Sequence, residues 1–115
     1  MSTAPVCRID HIAVTAPTLE KGAAWVEQAL GVVPQPGGAH PRMGTHNMLL
    51  RLGDDVYLEV IAVDPHAAAP GRPRWFGLDA VPPDSAPRVR NWIARCADIH
   101  AALAAVGEPL GEITE

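Results

Sequence analysis

Arg8-Ile9-Asp10-His11-Ile12-Ala13-Val14-Thr15 sets an imidazole inside a run that is mostly apolar and β-branched, the composition of a strand packed against a core. Val56-Tyr57-Leu58-Glu59-Val60-Ile61-Ala62-Val63 repeats the pattern with a single carboxylate. A polar group buried in a strand is costly unless it is hydrogen-bonded, paired or bound to a metal. Two such strands in one small domain therefore point to a site, and His11 with Glu59 is a donor pair suited to a divalent cation.

The elements around these strands follow from local chemistry. Ala16-Pro17-Thr18 breaks the first strand, Thr18 is a good N-cap, and Glu20 falls in the first turn, where the helix dipole favours a carboxylate. Leu19, Ala23, Val26 and Leu30 form one apolar stripe, and Gly31 supplies a left-handed stop. Between Val33 and Pro41, three prolines and two adjacent glycines allow at most a short edge strand. Asn47 to Leu52 and Val56 to Val63 flank Gly53-Asp54-Asp55, the signature of an antiparallel hairpin. Alternation puts Tyr57, Glu59 and Ile61 on one face of the second hairpin strand and Leu58, Val60 and Ala62 on the other. Both faces are largely apolar, so the sheet is expected to be covered on both sides, with Glu59 in an enclosed space.

Residues 64–90 hold six prolines and two glycines with little periodicity, so a long surface loop or lid is expected. After it, Trp92-Ile93-Ala94-Arg95-Cys96 reads as a strand, Asp98 as an N-cap, Ile99, Leu103 and Val106 as a helical stripe, and Gly107 as the stop. This order repeats that of the amino-terminal β-α unit, with Trp92-Ile93-Ala94 answering His11-Ile12-Ala13, as in an internal duplication. The second copy is incomplete, and its open strand edges call for a partner or for further chain.

At 115 residues and 48% hydrophobic composition, the chain fits one domain with a fillable core. A net charge of −4 without a basic run gives no footprint for nucleic acid or an anionic membrane. No secretory signal and no run of membrane-spanning length is read, so a cytoplasmic location is expected. Cys7 and Cys96 are too few for a disulfide framework and are read as reduced, buried thiols.

Asp10-His11-Ile12-Ala13-Val14, the helix ending at Leu30-Gly31-Val32, Gly44-Thr45-His46-Asn47 and Tyr57-Leu58-Glu59-Val60-Ile61 resemble a glyoxalase-like domain of the vicinal oxygen chelate superfamily. The resemblance covers residues 8–63 well and 91–114 loosely. It implies an α+β fold: a complete βαβββ module over 1–63, a loop or linker over 64–90, and the start (βαβ) of a second module over 91–115, truncated, all within one domain. In metal-dependent members each module gives one ligand from its first strand and one from its last, so His11 and Glu59 would be the first-module pair. By the repeat alignment Trp92 stands where a second His would sit, and Trp cannot ligate a metal. His46, leading into the strand beside Glu59, is the substitute considered as a third metal ligand or, with Glu59, as a catalytic acid-base group.

The functional expectation is a protein that binds or converts a small molecule in a cleft. If it is an enzyme, the resemblance implies a divalent metal (Zn, Ni, Mn or Fe) chelating vicinal substrate oxygens and stabilising an enolate-like or oxyanionic intermediate. Isomerase, lyase and ring-cleaving dioxygenase chemistry all use that device. The alternative is a non-catalytic protein that sequesters its ligand, as bleomycin-resistance proteins of the superfamily do, and the missing second-module ligands favour it. A homodimer or a longer polypeptide is the expected assembly. A structural role competes at each position: His11 hydrogen-bonded to Asp10 or Glu59, His46 as a loop residue capping a turn, Trp92 as core or cleft wall. His40, His66 and His100 are read as solvated. Arg72 and Arg74 beside Trp75 and Phe76 suit an anionic ligand, or else pack over the sheet.

Overall fold

A computed structural model describes residues 6–114. The chain runs β1 (Cys7–Thr15), α1 (Leu19–Leu30), β2 (Gln35–His40), β3 (Thr45–Arg51), β4 (Tyr57–Val63), a 3₁₀ segment (Trp75–Ala80), β5 (Arg88–Cys96) and α2 (Ile99–Val106). The strands form one sheet in the order β2-β3-β4-β1-β5. β1 and β4 run parallel; every other neighbouring pair is antiparallel. The parallel pair is possible because α1 and the β2–β3 hairpin lie between its strands as a crossover. The fold is α+β, with the βαβββ order over its first four strands that the resemblance implies.

Local signals set the helix ends. Thr18 accepts a hydrogen bond from the Lys21 amide, and Gly31, at φ 74°, closes α1 by donating from its own N–H to the Glu27 carbonyl. The core is the layer between α1 and the sheet, where Val14, Ala16, Val26, Leu50, Leu58 and Val60 cluster. Gly22 lets α1 lie close: a Cβ there would run into Val60 Cγ1 and stand 2.9 Å from Ala16 Cβ. The opposite face of β4 carries Tyr57, Glu59 and Ile61, and the 3₁₀ segment folds back against this strand. Ile61 and Leu78 are both fully buried.

Three expectations are corrected. Cys7 and Cys96 are not free thiols: β1 and β5 pair so that the two residues face each other, with Cα atoms 4.4 Å apart, and a disulfide joins them. The spacing of 89 residues hid this pairing, which only the antiparallel register creates. β5 starts at Arg88, four residues before Trp92, so its first turn of sequence belongs to the sheet and not to the long loop. Trp92 is not a core residue and stands apart from the His11–Glu59 face. It is 68% exposed, on the same side of β5 as Ala94 and Cys96, where Ile99, Leu103 and Val106 of α2 line a shallow apolar groove with it.

Candidate functional site

The site lies on the sheet face away from α1, where alternate residues of four strands bring polar side chains into one line. Register decides membership. His11 pairs with Tyr57 and Ala13 with Glu59 across the parallel β1–β4 ladder, while Leu49 pairs with Glu59 and Asn47 with Ile61 across β3–β4. His11, Asn47, Glu59 and Tyr57 therefore share a face.

Glu59 is 6% exposed. Its Oε1 stands 3.3 Å from His11 Nε2, and its Oε2 accepts a 2.7 Å hydrogen bond from Asn47 Nδ2. The Asn47 amide is oriented by its other end, since Oδ1 accepts from the Gly38 amide at 2.8 Å. Gly37 is required next to it, because any side chain there would collide with the Asn47 amide. Asn47 Nδ2 also lies 3.3 Å from His40 Nε2, and His40 Nδ1 lies 2.9 Å from Thr45 Oγ1. With the Asn47 amide donating, His40 Nε2 is the acceptor and Nδ1 carries the proton, a tautomer assigned from the network. His40 also meets Trp75 edge to face at 5.5 Å. It is thus a half-buried member of this line and not the solvated histidine expected, whereas His66 and His100 are exposed.

The other end of the line turns on a bulge. The β1–β5 register slips between Ile9 and His11, leaving Asp10 without an opposite residue, and a bulge re-aims the extra side chain. Asp10 Oδ2 consequently reaches His11 Nδ1 at 2.7 Å, although neighbouring strand residues normally point apart. Asp10 Oδ1 accepts from Arg95 Nη1 at 3.1 Å, and Arg95 Nη2 donates to the Asp55 carbonyl at 2.9 Å. The hydrogen bond from His11 holds the Asp10 carboxyl below its ordinary range, helped by the charges of His11 and Arg95 and opposed by partial burial. Tyr57 stacks on the His11 ring with centroids 4.6 Å apart. Burial, with the Asp10 and Glu59 carboxylates nearby, pushes its phenol upward.

The chemical consequence concerns the gap between His11 and Glu59. Asp10 Oδ2 accepts a hydrogen bond from His11 Nδ1–H, so in the neutral tautomer the Nε2 lone pair faces a carboxylate oxygen. Two acceptors facing at that distance require something positive between them, either a proton on Nε2 or a cation. Both donors also carry the outer partners typical of metal ligands, a carboxylate on the second imidazole nitrogen and an amide on the second carboxylate oxygen. The pair thus fits two positions of a divalent cation.

No third donor joins them. Among the described residues there is no group of three or more His, Cys, Asp or Glu side chains arranged to hold a metal ion. His46, considered as a third ligand or catalytic base, pairs with Ala62 in β4 and so projects from the α1 side of the sheet, beside Leu19 and Ala23. Its Nδ1 comes only within 4.0 Å of Asp64 Oδ1. The residue that reaches Glu59 from this motif is its neighbour, Asn47. The loop arginines are also differently employed: Arg72 pairs with Glu112 at 2.7 Å and Arg74 with Asp79 at 2.6 Å, with Arg74 Nε donating to the Gly44 carbonyl.

Comparison with known proteins agrees with this architecture. The profile of the glyoxalase-like domain matches residues 9–114. The chain belongs to the glyoxalase-like family. The domain is also similar to a solved structure, methylmalonyl-CoA epimerase from Mycobacterium tuberculosis, with a TM-score of 0.56 and 18% sequence identity. The match covers 86% of this chain and 63% of that one, so the glyoxalase-like domain spans less than two thirds of the epimerase chain. At that identity the likeness establishes a shared fold. None of the curated proteins matches the chain in sequence.

Proposed function

We propose that this glyoxalase-like domain binds and converts a small molecule on the His11–Glu59 face, with His11 and Glu59 supplying two donors to a divalent cation. The observation that carries the proposal is the 3.3 Å approach of His11 Nε2 to Glu59 Oε1, each already oriented by an outer partner. A cation held there would act as a Lewis acid on substrate oxygens. The chain's own residues orient and exclude. Asp10 fixes the imidazole tautomer, Asn47 fixes the carboxylate, and stacked Tyr57 shields the ring from water. With no cation in the gap, Glu59 Oε1, partnered among the described residues by His11, is instead the oxygen that would take a proton from a bound substrate. Further donors would come from a second module, in a homodimer or in a longer polypeptide.

A second reading is favoured by the count of donors. Two ligands hold an ion weakly, and the lack of a third among the described residues suits a binding protein that sequesters its ligand without turning it over.

Thermal unfolding with Mn²⁺, Ni²⁺, Zn²⁺ or Fe²⁺ separates the two. An ion that binds only the folded state adds about 2.7 kcal/mol of stability at a hundredfold excess over its Kd. The metal reading expects a rise in Tm that disappears in His11→Ala and in Glu59→Ala. The absence of a rise with every ion leaves the sequestering reading.

A further inference from the structure

A cavity of about 550 Å³ opens at the carboxyl end of β1, lined by Thr15, Phe76, Val81, Ser85, Arg88 and Arg90. Its two arginines differ from the others in the chain. Arg8, Arg51, Arg72, Arg74 and Arg95 each have a carboxylate partner, and Arg42 has an interaction of its own. Arg88 and Arg90 have neither an ion pair nor a side-chain hydrogen bond among the described residues. A chain with a formal charge of −4 has carboxylates to spare, yet none among the described residues is paired with these two cations.

Their placement is local and specific. Arg88 pairs with Thr15, and the β1–β5 register slips a second time between Ala13 and Val14, so that Arg90 falls between Val89 and Asn91 without an opposite residue. A bulge of this kind re-aims the unpaired side chain. The Arg90 guanidinium lies over Gly77, where an added Cβ would stand 3.3 Å from Nη2. Phe76, at φ 58°, holds a left-handed conformation that a non-glycine residue rarely adopts, and Gly77 follows it at φ 67°. Backbone strain of this sort is held in place by surrounding structure and clusters at ligand clamps. The walls between Phe76 and Val81 are apolar, while Ser85, whose hydroxyl donates to the Pro82 carbonyl, and Thr15 complete the lining with the two arginines.

We infer that this cavity is a binding subsite for the anionic end, carboxylate or phosphate, of a small organic acid with an apolar body. Guanidinium groups match the oxygens of either anion, and the apolar wall takes the remainder of the molecule. Ala13, between Thr15 and His11 on this face of β1, is fully buried, so the cavity is separate from the His11–Glu59 pair and anion binding in it stands independently of the proposed function.

The experiment is an NMR titration of the protein with benzoate, inorganic phosphate and, as a neutral control, benzamide. Benzoate is expected to shift the Thr15, Phe76 and Ser85 amides saturably. Arg88→Gln/Arg90→Gln should weaken it by at least about tenfold, since a charged hydrogen bond is lost at each position. Both side chains are exposed, so the double variant should keep its fold, and the wild-type comparison of benzoate with benzamide needs no variant. His11→Ala and Glu59→Ala should leave benzoate binding unchanged, which separates this site from the proposed cation site. Stronger binding of phosphate than benzoate would assign the subsite to a phosphoryl group, and the reverse to a carboxylate; either supports the inference. Amides unmoved by both anions, equal binding by benzamide, or an unweakened double variant would overturn it.

Discussion

Replacing Gly22 by alanine tests how tightly α1 is laid on the sheet. On helix propensity alone the change should stabilise the protein by about 1 kcal/mol. Packing opposes it. The new methyl would penetrate Val60 Cγ1 and stand 2.9 Å from Ala16 Cβ, where carbon atoms settle at about 3.5–4.0 Å. Val60 and Ala16 are 0% and 1% exposed and have nowhere to go. The helix must retreat from the sheet and loosen Val26, so the cost should reach the upper part of the usual overpacking range, about 3 kcal/mol. The net expectation is a loss of about 2 kcal/mol, or roughly 8 °C in Tm for a domain of this size. Urea denaturation of Gly22→Ala, Val60→Ala and the double variant closes the cycle. Val60→Ala removes the offending Cγ1, so the double variant should be more stable than the sum of the singles by more than about 1 kcal/mol. Additive losses, or a Gly22→Ala variant as stable as the parent, would refute the close-contact account.

Other outcomes follow from the site and its surroundings. Cys7→Ser/Cys96→Ser releases a cross-link closing 89 residues, and the oxidised parent should resist urea by about 2–4 kcal/mol more than the variant; equal stability would mean that the bond does not form. Asp10 sits below its ordinary pKa, so its share of stability is complete above the unfolded aspartate value of about 3.9 and is lost as pH falls through the lower folded value. The Tm gap between the parent and Asp10→Asn should therefore be widest above about pH 5 and close toward pH 3, a trend that a pH series of thermal melts would show or deny. His46→Ala should preserve any metal-induced rise in Tm that His11→Ala abolishes, and loss of that rise in both would put His46 back at the site.

Much of this architecture was legible because it is local. Thr18 and Gly31, Asp98 and Gly107 bound their helices where capping chemistry puts them, and the glycine and aspartates at 53–55 mark the hairpin. The convergence of His11 with Glu59 was also readable, as each is a polar residue in a strand whose own residues are mostly apolar. His46 faces away from Glu59 because a hairpin centred on Asp54 pairs odd residues with odd, which puts Asn47 on the face of Glu59. The Asp10 bulge, the disulfide and the unpaired arginines were not legible. Each depends on the register between β1 and β5, strands that lie far apart in the chain, and no local pattern encodes a register slip.

The bulge at Asp10 makes the site a late product of folding. Its carboxylate serves both His11, the next residue, and Arg95, which lies 85 positions further on. Long loops close slowly, because the entropy of closure is lost before the contacts return it. A polypeptide whose β5 has not docked would still stack His11 on Tyr57 but would lack the Arg95 guanidinium that holds the Asp10 carboxylate. The complete hydrogen-bonded line should thus form only after the last strand has joined the sheet.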